Sequence, residues 1–451
     1  MTKRRLVIAL FFIFLPVLTL TAKPHMSKET KACIKCHNEK NIHIVQIKEW
    51  EKSSHAKKGT GCFECHQAKK GEPDAWDHEG YTISTIVSPF DCAKCHRREF
   101  EEFDRSHHSK AGEILGSLDN YLGEVVQGEG ASVQGCAYCH GSVVKMDKDK
   151  PGKMDPMTWP NLGIGRLNPD GSKGSCSACH AKHAFSLEVA RSPDSCGKCH
   201  MGPDHPQKEI FEESKHGIIY KAHLSKMKLD SKKWILGKEY TQAPNCVTCH
   251  MGAAKNIHRT HDLGERISMD LRSPISKPKE DQQKKMAEMK KVCANCHGPE
   301  WYNNFYKQFY ATVDGYENRF GKTSAAIINS LLEEGKLTKT PFDEEIEWVY
   351  FELWHHEGRR LRHGAAMMGP DFVQWHGFYE VAQHFYFKFI PKAEKLAGEK
   401  TKKLIAGIMS RPEHRWMKGY TPGNLRIQEA AYKEWAKMRE AALAERKNTK
   451  N

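Results

Sequence analysis

This chain of 451 residues leaves no cysteine unaccounted for, and residues 301–451 hold none at all. Beyond the first 20 residues no segment is long and apolar enough to cross a bilayer, which takes about 20 consecutive apolar residues. Little of the sequence alternates as strands do, so a sheet-based architecture is excluded. The sequence also lacks a repeat of fixed period. Its cysteine pairs begin at 33, 62, 92, 136, 176, 196, 246 and 293, which rules out a tandem array of one small unit. No strand precedes Gly163-Ile164-Gly165, so these glycines carry no nucleotide-binding signal.

All 16 cysteines fall into C-x-x-C-H units. They are Cys33, Cys36 and His37; Cys62, Cys65 and His66; Cys92, Cys95 and His96; and Cys136, Cys139 and His140. Then follow Cys176, Cys179 and His180; Cys196, Cys199 and His200; Cys246, Cys249 and His250; and Cys293, Cys296 and His297. C-x-x-C-H is the attachment motif of haem c. The two thiols form thioethers to the porphyrin, and the adjoining histidine becomes an axial ligand of the iron. Zinc sites also use C-x-x-C pairs, but they do not need a histidine directly after every second cysteine. A disulfide framework has no use for that histidine. The expected cofactor load is eight covalently bound haems.

Residues 1–22 read as a secretory signal, with Lys3, Arg4 and Arg5, an apolar run from Leu6 to Leu20, and the small-residue end Thr21-Ala22. Haem c is attached after export, so signal and motifs both predict a periplasmic protein. The formal charge of +14 raises the question of nucleic acid. Loss of the signal removes three positive charges. Eight haems bring about −8 when oxidised and about −16 when reduced, at two propionates each. The basic excess therefore balances the cofactors, and no nucleic-acid partner is expected.

Residues 23–300 form the expected haem-binding region, rich in loops, and residues 301–451 a helical C-terminal domain. There Trp301, Phe305, Phe309 and Tyr310, and then Trp348, Phe351 and His355, recur at helical spacing. Residues 371–396 are rich in aromatics, and residues 424–447 are amphipathic. The predicted fold class is all-α, a multihaem cytochrome c whose stability comes largely from burying porphyrin faces.

Of 26 histidines, the eight in motifs leave eighteen. An electron-transfer haem closes its second axial position, usually with histidine, whereas an open position permits chemistry. The pool of distal candidates includes His108, His355 and His376. From it we take His55, His107, His183, His216, His258, His261 and His356 as the distal set.

Three segments, together with the order of motifs, resemble the octahaem hydroxylamine oxidoreductase family over nearly the whole chain. They are Cys199-His-Met-Gly-Pro-Asp-His-Pro-Gln207 with Ser214-Lys-His-Gly217; Trp354-His-His-Glu-Gly-Arg-Arg360 with Arg362-His-Gly-Ala365; and Met368-Gly-Pro-Asp-Phe-Val-Gln-Trp-His-Gly377. The resemblance implies a catalytic haem on the fourth motif, with His140 proximal and the distal side open. It also implies a catalytic pair, Asp204 and His205, above that haem. A rival reading has Asp204 capping a helix that begins near Pro206. Oxidative members carry a tyrosine crosslinked to the catalytic haem, and the matching position here is Phe372, with Tyr379 and Tyr386 nearby. The resemblance thus implies reduction of nitrite or hydroxylamine to ammonia. The alternatives are oxidation of hydroxylamine or hydrazine, and a non-catalytic electron conduit. Expected partners are a redox cytochrome or a quinol-oxidising membrane protein. A homotrimer without covalent tyrosine–haem links is also expected.

Overall fold

The computed structural model describes residues 25–419 and 423–448, so the signal assigned to residues 1–22 lies outside the described residues. Helices dominate, and the strands among the described residues are three two-stranded ladders. Two compact units are present. One runs to Val87 and takes in Lys182–Phe185; the other comprises Ser88–Ala181 and everything from Ser186 onward.

The first unit carries two of the motifs. Its hairpin pairs Ala75–His78 with Tyr81–Ser84. Glu79 and Gly80 turn it, with φ of 53° and 81°. Two successive positive φ values define the turn whose twist matches paired strands. Thr30 donates to Glu64 Oε2 (2.9 Å), which also accepts from the Gly61 N–H (2.7 Å). These bonds fix the first motif's helix, Lys28–Glu39, beside the second's, Cys62–His66.

The second unit carries six motifs and the long helices. Helical backbone runs from Pro299 through Glu333, from Glu345 through Met367 and from Pro370 through Leu396, each interrupted by widened π turns. Such turns are rare and cluster at functional sites. The one at Glu352–Gly358 carries Trp354, His355 and His356.

These helices enclose a conventional apolar core that includes Tyr316, Ile327, Leu331, Leu353, Phe385 and Phe389. Each such side chain contributes about 1.5–3 kcal/mol. The C-terminal helices therefore hold together on apolar packing of their own, because no attachment motif lies among them. Arg362 is fully buried against Glu317 (3.3 Å) and lies over the Tyr316 ring. The tail helix, Gly423–Asn448, forms as its amphipathic pattern predicts, and Ile427, Tyr432, Trp435 and Met438 on it are exposed. Among the described residues no helix is long and apolar enough to cross a membrane.

Candidate active site and haem ligands

The fourth motif forms a single helical turn, Cys136–His140. Three glycines hold the chain against its end. The Ile164 N–H donates to the Cys139 carbonyl (2.9 Å) and the Gly165 N–H to the His140 carbonyl (3.1 Å). These carbonyls are the ones a helix leaves unsatisfied at its C-terminus. The approach needs bare backbone: a Cβ on Gly163 would stand 2.0 Å from the Gly141 nitrogen, and Gly141 itself has φ +85°. Gly163 and Gly165, which carry no nucleotide signal, thus seat the motif.

The His140 ring hydrogen-bonds the Ala111 backbone, while burial and the nearby His205 push it towards the neutral form. In the first unit, His66 Nδ1 lies 2.8 Å from the Ser84 carbonyl. His200 Nδ1 similarly faces Gln207 (3.3 Å). An engaged Nδ1 with a free Nε2 is how a metal-binding imidazole is held in its tautomer and orientation.

Several motif histidines face a second imidazole across a gap. Ring centroids are 6.4 Å apart for His180 and His261, 6.2 Å for His297 and His216, and 6.0 Å for His200 and His108. An iron held by two imidazoles at about 2 Å from each nitrogen separates ring centres by about 6 Å. The spacing fits bis-histidine haems. Burial lowers His108 to about 3, so it is a neutral donor. His107, its neighbour, is exposed beside Lys279 instead. His205 also lies 6.1 Å from His200.

The other candidates sit as follows. In the first unit His183 is within electrostatic reach of His66, and His55 packs edge-on against Phe185. His37 has His43 at 5.2 Å and His78 at 5.9 Å, and sequence reasoning missed both. In the second unit His258 is exposed and 3.0 Å from Glu265. His356 is half-buried beside His355, His376 sits between Asp371 and Glu380, and His96 precedes the helix Arg97–Arg105. His250 is half-buried and lowered to about 4, first by burial and then by His200.

Sulfurs of different motifs come together. Cys92 meets Cys176, Cys139 meets Cys199, and Cys196 meets Cys246. Cys179 lies near Cys196, and Cys249 near Cys293 and Cys296. Cys33 and Cys62 adjoin in the first unit.

Around His140 the surroundings differ from those of the other motif histidines. His205 Nδ1 stands 2.9 Å from Asp204 Oδ1, and Asp204 Oδ2 is 3.3 Å from Arg359 Nη1. Asp204 does not cap the helix Gln207–Glu213, whose Pro206 cap makes no side-chain bond. A second carboxylate, Asp119, comes from the short helix Leu118–Tyr121 and lies 2.5 Å from His355 Nε2. Arg359 Nη1 reaches the same Nε2 at 2.9 Å, and its guanidinium lies over the Trp354 ring. Burial works to raise both carboxyls. The imidazoles and Arg359 outweigh it and hold Asp119 and Asp204 below the usual carboxylate range. Both carboxylates lie within electrostatic reach of His140. Sequence reasoning missed Asp119 entirely. It quoted Arg359 without giving it a role, and kept His355 only in the wider histidine pool.

Phe372 abuts Gly364, and its ring lies 5.5 Å from His376. Tyr386 is buried with its hydroxyl 2.7 Å from His414 Nδ1, while Tyr379 is exposed.

Comparison with known proteins finds multihaem cytochromes. A family model described as "Seven times multi-haem cytochrome CxxCH" matches residues 169–342, and one for cytochrome c554 and c-prime matches residues 91–158. A probable nitrite reductase–hydroxylamine oxidoreductase fusion protein of Kuenenia stuttgartiensis is 28% identical over 262 residues, half of this chain. The match spans about a quarter of that relative's own length, 26%. The cytochrome c-type protein NrfH of Wolinella succinogenes is 28% identical over 131 residues, 27% of this chain and 71% of that protein. Among solved structures, a hypothetical multiheme protein superposes with a TM-score of 0.72 at 24% identity, over 86% of this chain and 97% of that one. A chain of a reducing HAO-like complex of Kuenenia stuttgartiensis gives 0.59 at 19% identity, over 84% and 86%. These two show the fold. With every cysteine in an attachment motif, imidazoles set at iron-spanning distances and two multihaem family models on its sequence, this chain is an all-α multihaem cytochrome of the c type.

Proposed function

We propose that the protein is an exported, periplasmic octahaem reductase that converts nitrite, by six electrons, or hydroxylamine, by two, to ammonium. The site is the face opposite His140. The observation that carries this reading is the contrast among motif histidines. His180 and His297 each have an imidazole at iron-spanning distance, whereas Asp119, Asp204 and His205 lie within electrostatic reach of His140, with His355 and Arg359 bound to those carboxylates. The carboxylates and the guanidinium in that group orient proton donors and hold anions rather than close an iron.

A haem on Cys136 and Cys139 would supply an iron that takes the nitrogen ligand and delivers electrons to it. The protein's own groups do the rest. His205 Nδ1, held by Asp204, leaves Nε2 to hand a proton to the substrate, which suits a reaction taking up protons with its electrons. Arg359 offers its guanidinium to the oxygens of nitrite. Haems held on the second unit's motifs would follow the order of their sulfur contacts. The fourth adjoins the sixth, the sixth adjoins the fifth and seventh, the fifth adjoins the third, and the seventh adjoins the eighth. Electrons from a reduced cytochrome or a quinol-oxidising membrane protein then have a continuous route through that unit.

The reductive direction rests on Phe372, whose ring has no phenolic oxygen to couple to a porphyrin. Tyr386 is committed to His414. Exposed Trp375, Tyr379 and Phe387 offer an apolar helix face for a homotrimer without covalent links. The deciding experiment assays both directions. With a reduced low-potential donor, nitrite and hydroxylamine should yield ammonium, and the resting protein should show a high-spin haem signal. Oxidation of hydroxylamine outrunning reduction, or a haem-linked Tyr379 in peptide maps, overturns the direction. A wholly low-spin spectrum overturns the open site.

A further inference from the structure

We infer that Glu352, Glu357 and His384 form a binding site for one divalent transition-metal ion of the zinc class, on helices that carry no attachment motif. The site is independent of the proposed reaction.

The donors come from two helical segments. Glu352 and Glu357 lie on the widened turn Glu352–Gly358, and His384 ends the helix Glu380–His384. In an α-helix, neighbours on one face are three or four residues apart. The i→i+5 hydrogen bonding of a widened turn brings residues five apart together instead, and so sets these two carboxylates beside each other. One ligand atom from each carboxylate and one from His384 all lie within 4.8 Å of one another. Tetrahedral donors around an ion at about 2.1 Å are about 3.4 Å apart, so shifts of about 1 Å close the site.

Burial sets the cluster apart from a surface ion pair. Glu357 is 1% exposed, and its Oε2 has no hydrogen-bond partner among the described residues. His384 Nδ1 touches Glu357 Oε1. Buried charges are paired or coordinate a metal. The second carboxylate, Glu352, only accepts and repels the first, so it cannot satisfy that oxygen. Two cations stand nearby and are engaged elsewhere. Arg360 Nη2 is 2.6 Å from Glu380 Oε2, and the exposed Lys388 Nζ is 2.6 Å from His384 Nε2, the other ring nitrogen.

The donor set chooses the ion. Calcium and magnesium take oxygen donors, whereas imidazole combined with carboxylate suits zinc and its neighbours. Three protein donors leave a fourth position to water. The ion would tie the turn that carries His355 and His356 to the helix that ends in His384.

The test is equilibrium dialysis of the chelator-stripped, fully haem-loaded protein against Zn²⁺ alone at neutral pH. Elemental mass spectrometry reads zinc, with haem iron counting the chains. Wild type should take up one zinc per chain at micromolar free metal. Glu357→Gln and His384→Gln should each weaken binding by more than the about 10–100-fold that follows loss of a residue merely supporting a ligand. Lys388→Gln, outside the donor set, should tighten binding, because its ammonium no longer opposes a cation at the same imidazole. Zinc should also raise the melting temperature of wild type and of Lys388→Gln, and leave the two donor variants unmoved. No uptake at micromolar free zinc overturns the site, as does equal uptake by wild type and both donor variants. Unchanged binding in Lys388→Gln overturns it too, and that comparison decides the matter if a donor variant fails to fold. Ammonium production from nitrite is read separately, so either conclusion can fail without the other.

Discussion

Gly163→Ala should dislodge the fourth motif and leave the other haem sites in place. The new methyl carbon would stand 2.0 Å from the Gly141 nitrogen, 2.2 Å from its Cα and 2.6 Å from the Ala137 carbonyl oxygen. Carbon contacts rest at about 3.5 Å, so the segment must retreat by roughly 1.5 Å. Its neighbours are backbone, which cannot rotate aside as a flexible side chain would. Overpacking of this kind costs about 1–3 kcal/mol. The retreat also breaks the bonds from Ile164 to Cys139 and from Gly165 to His140, at about 1 kcal/mol each. The expected loss is therefore about 3–5 kcal/mol, concentrated at the turn that aims His140. Denaturant titration measures the total, and the high-spin haem signal reports whether the open site has lost its proximal ligand while the low-spin bands persist. Gly130→Ala is the control, since nothing lies within 4 Å of its would-be Cβ. A cost under about 1 kcal/mol for Gly163→Ala, or loss spread equally over all haem bands, would refute the argument.

Intact mass of the exported protein should show eight haem additions; fewer than seven, or zinc in their place, breaks the assignment. His205→Ala should keep that haem load and cut turnover about 100-fold, whereas conversion of a low-spin haem to high-spin would make His205 the ligand opposite His200. Arg362→Met should cost about 3–5 kcal/mol in chemical denaturation, because it leaves buried Glu317 without its counter-charge; adding Glu317→Gln should recover most of the loss. Stability should also fall as pH rises above about 6.5, the ordinary histidine value. The bond to Glu357 raises His384, and burial raises Glu357, so the folded chain holds protons that the unfolded chain releases. The contribution is complete below the ordinary histidine value and is lost through the raised one, and His384→Gln should flatten that slope in thermal melts across pH 6–9.

The attachment chemistry was legible in the sequence because it is local. Two thiols and an imidazole within five residues form one helical turn whatever surrounds them, as at Cys62–His66, Cys136–His140 and Cys246–His250. The C-terminal helices were legible by periodicity for the same reason. Their apolar core was not, since the expectation of porphyrin-based stability overlooked how well Phe385, Phe389 and Leu331 pack together. Of the site, the sequence alone pointed to His140, Asp204 and His205, through their resemblance to a known pattern. Only the tertiary structure brought Asp119 from residues 118–121, and His355 and Arg359 from a widened helical turn and its continuation, to that same face. It also set His108, rather than its neighbour His107, opposite His200. One residue along the chain reverses which way a side chain looks, and no local rule fixes that choice. It is made by burial and by packing, both of which depend on segments far apart in sequence.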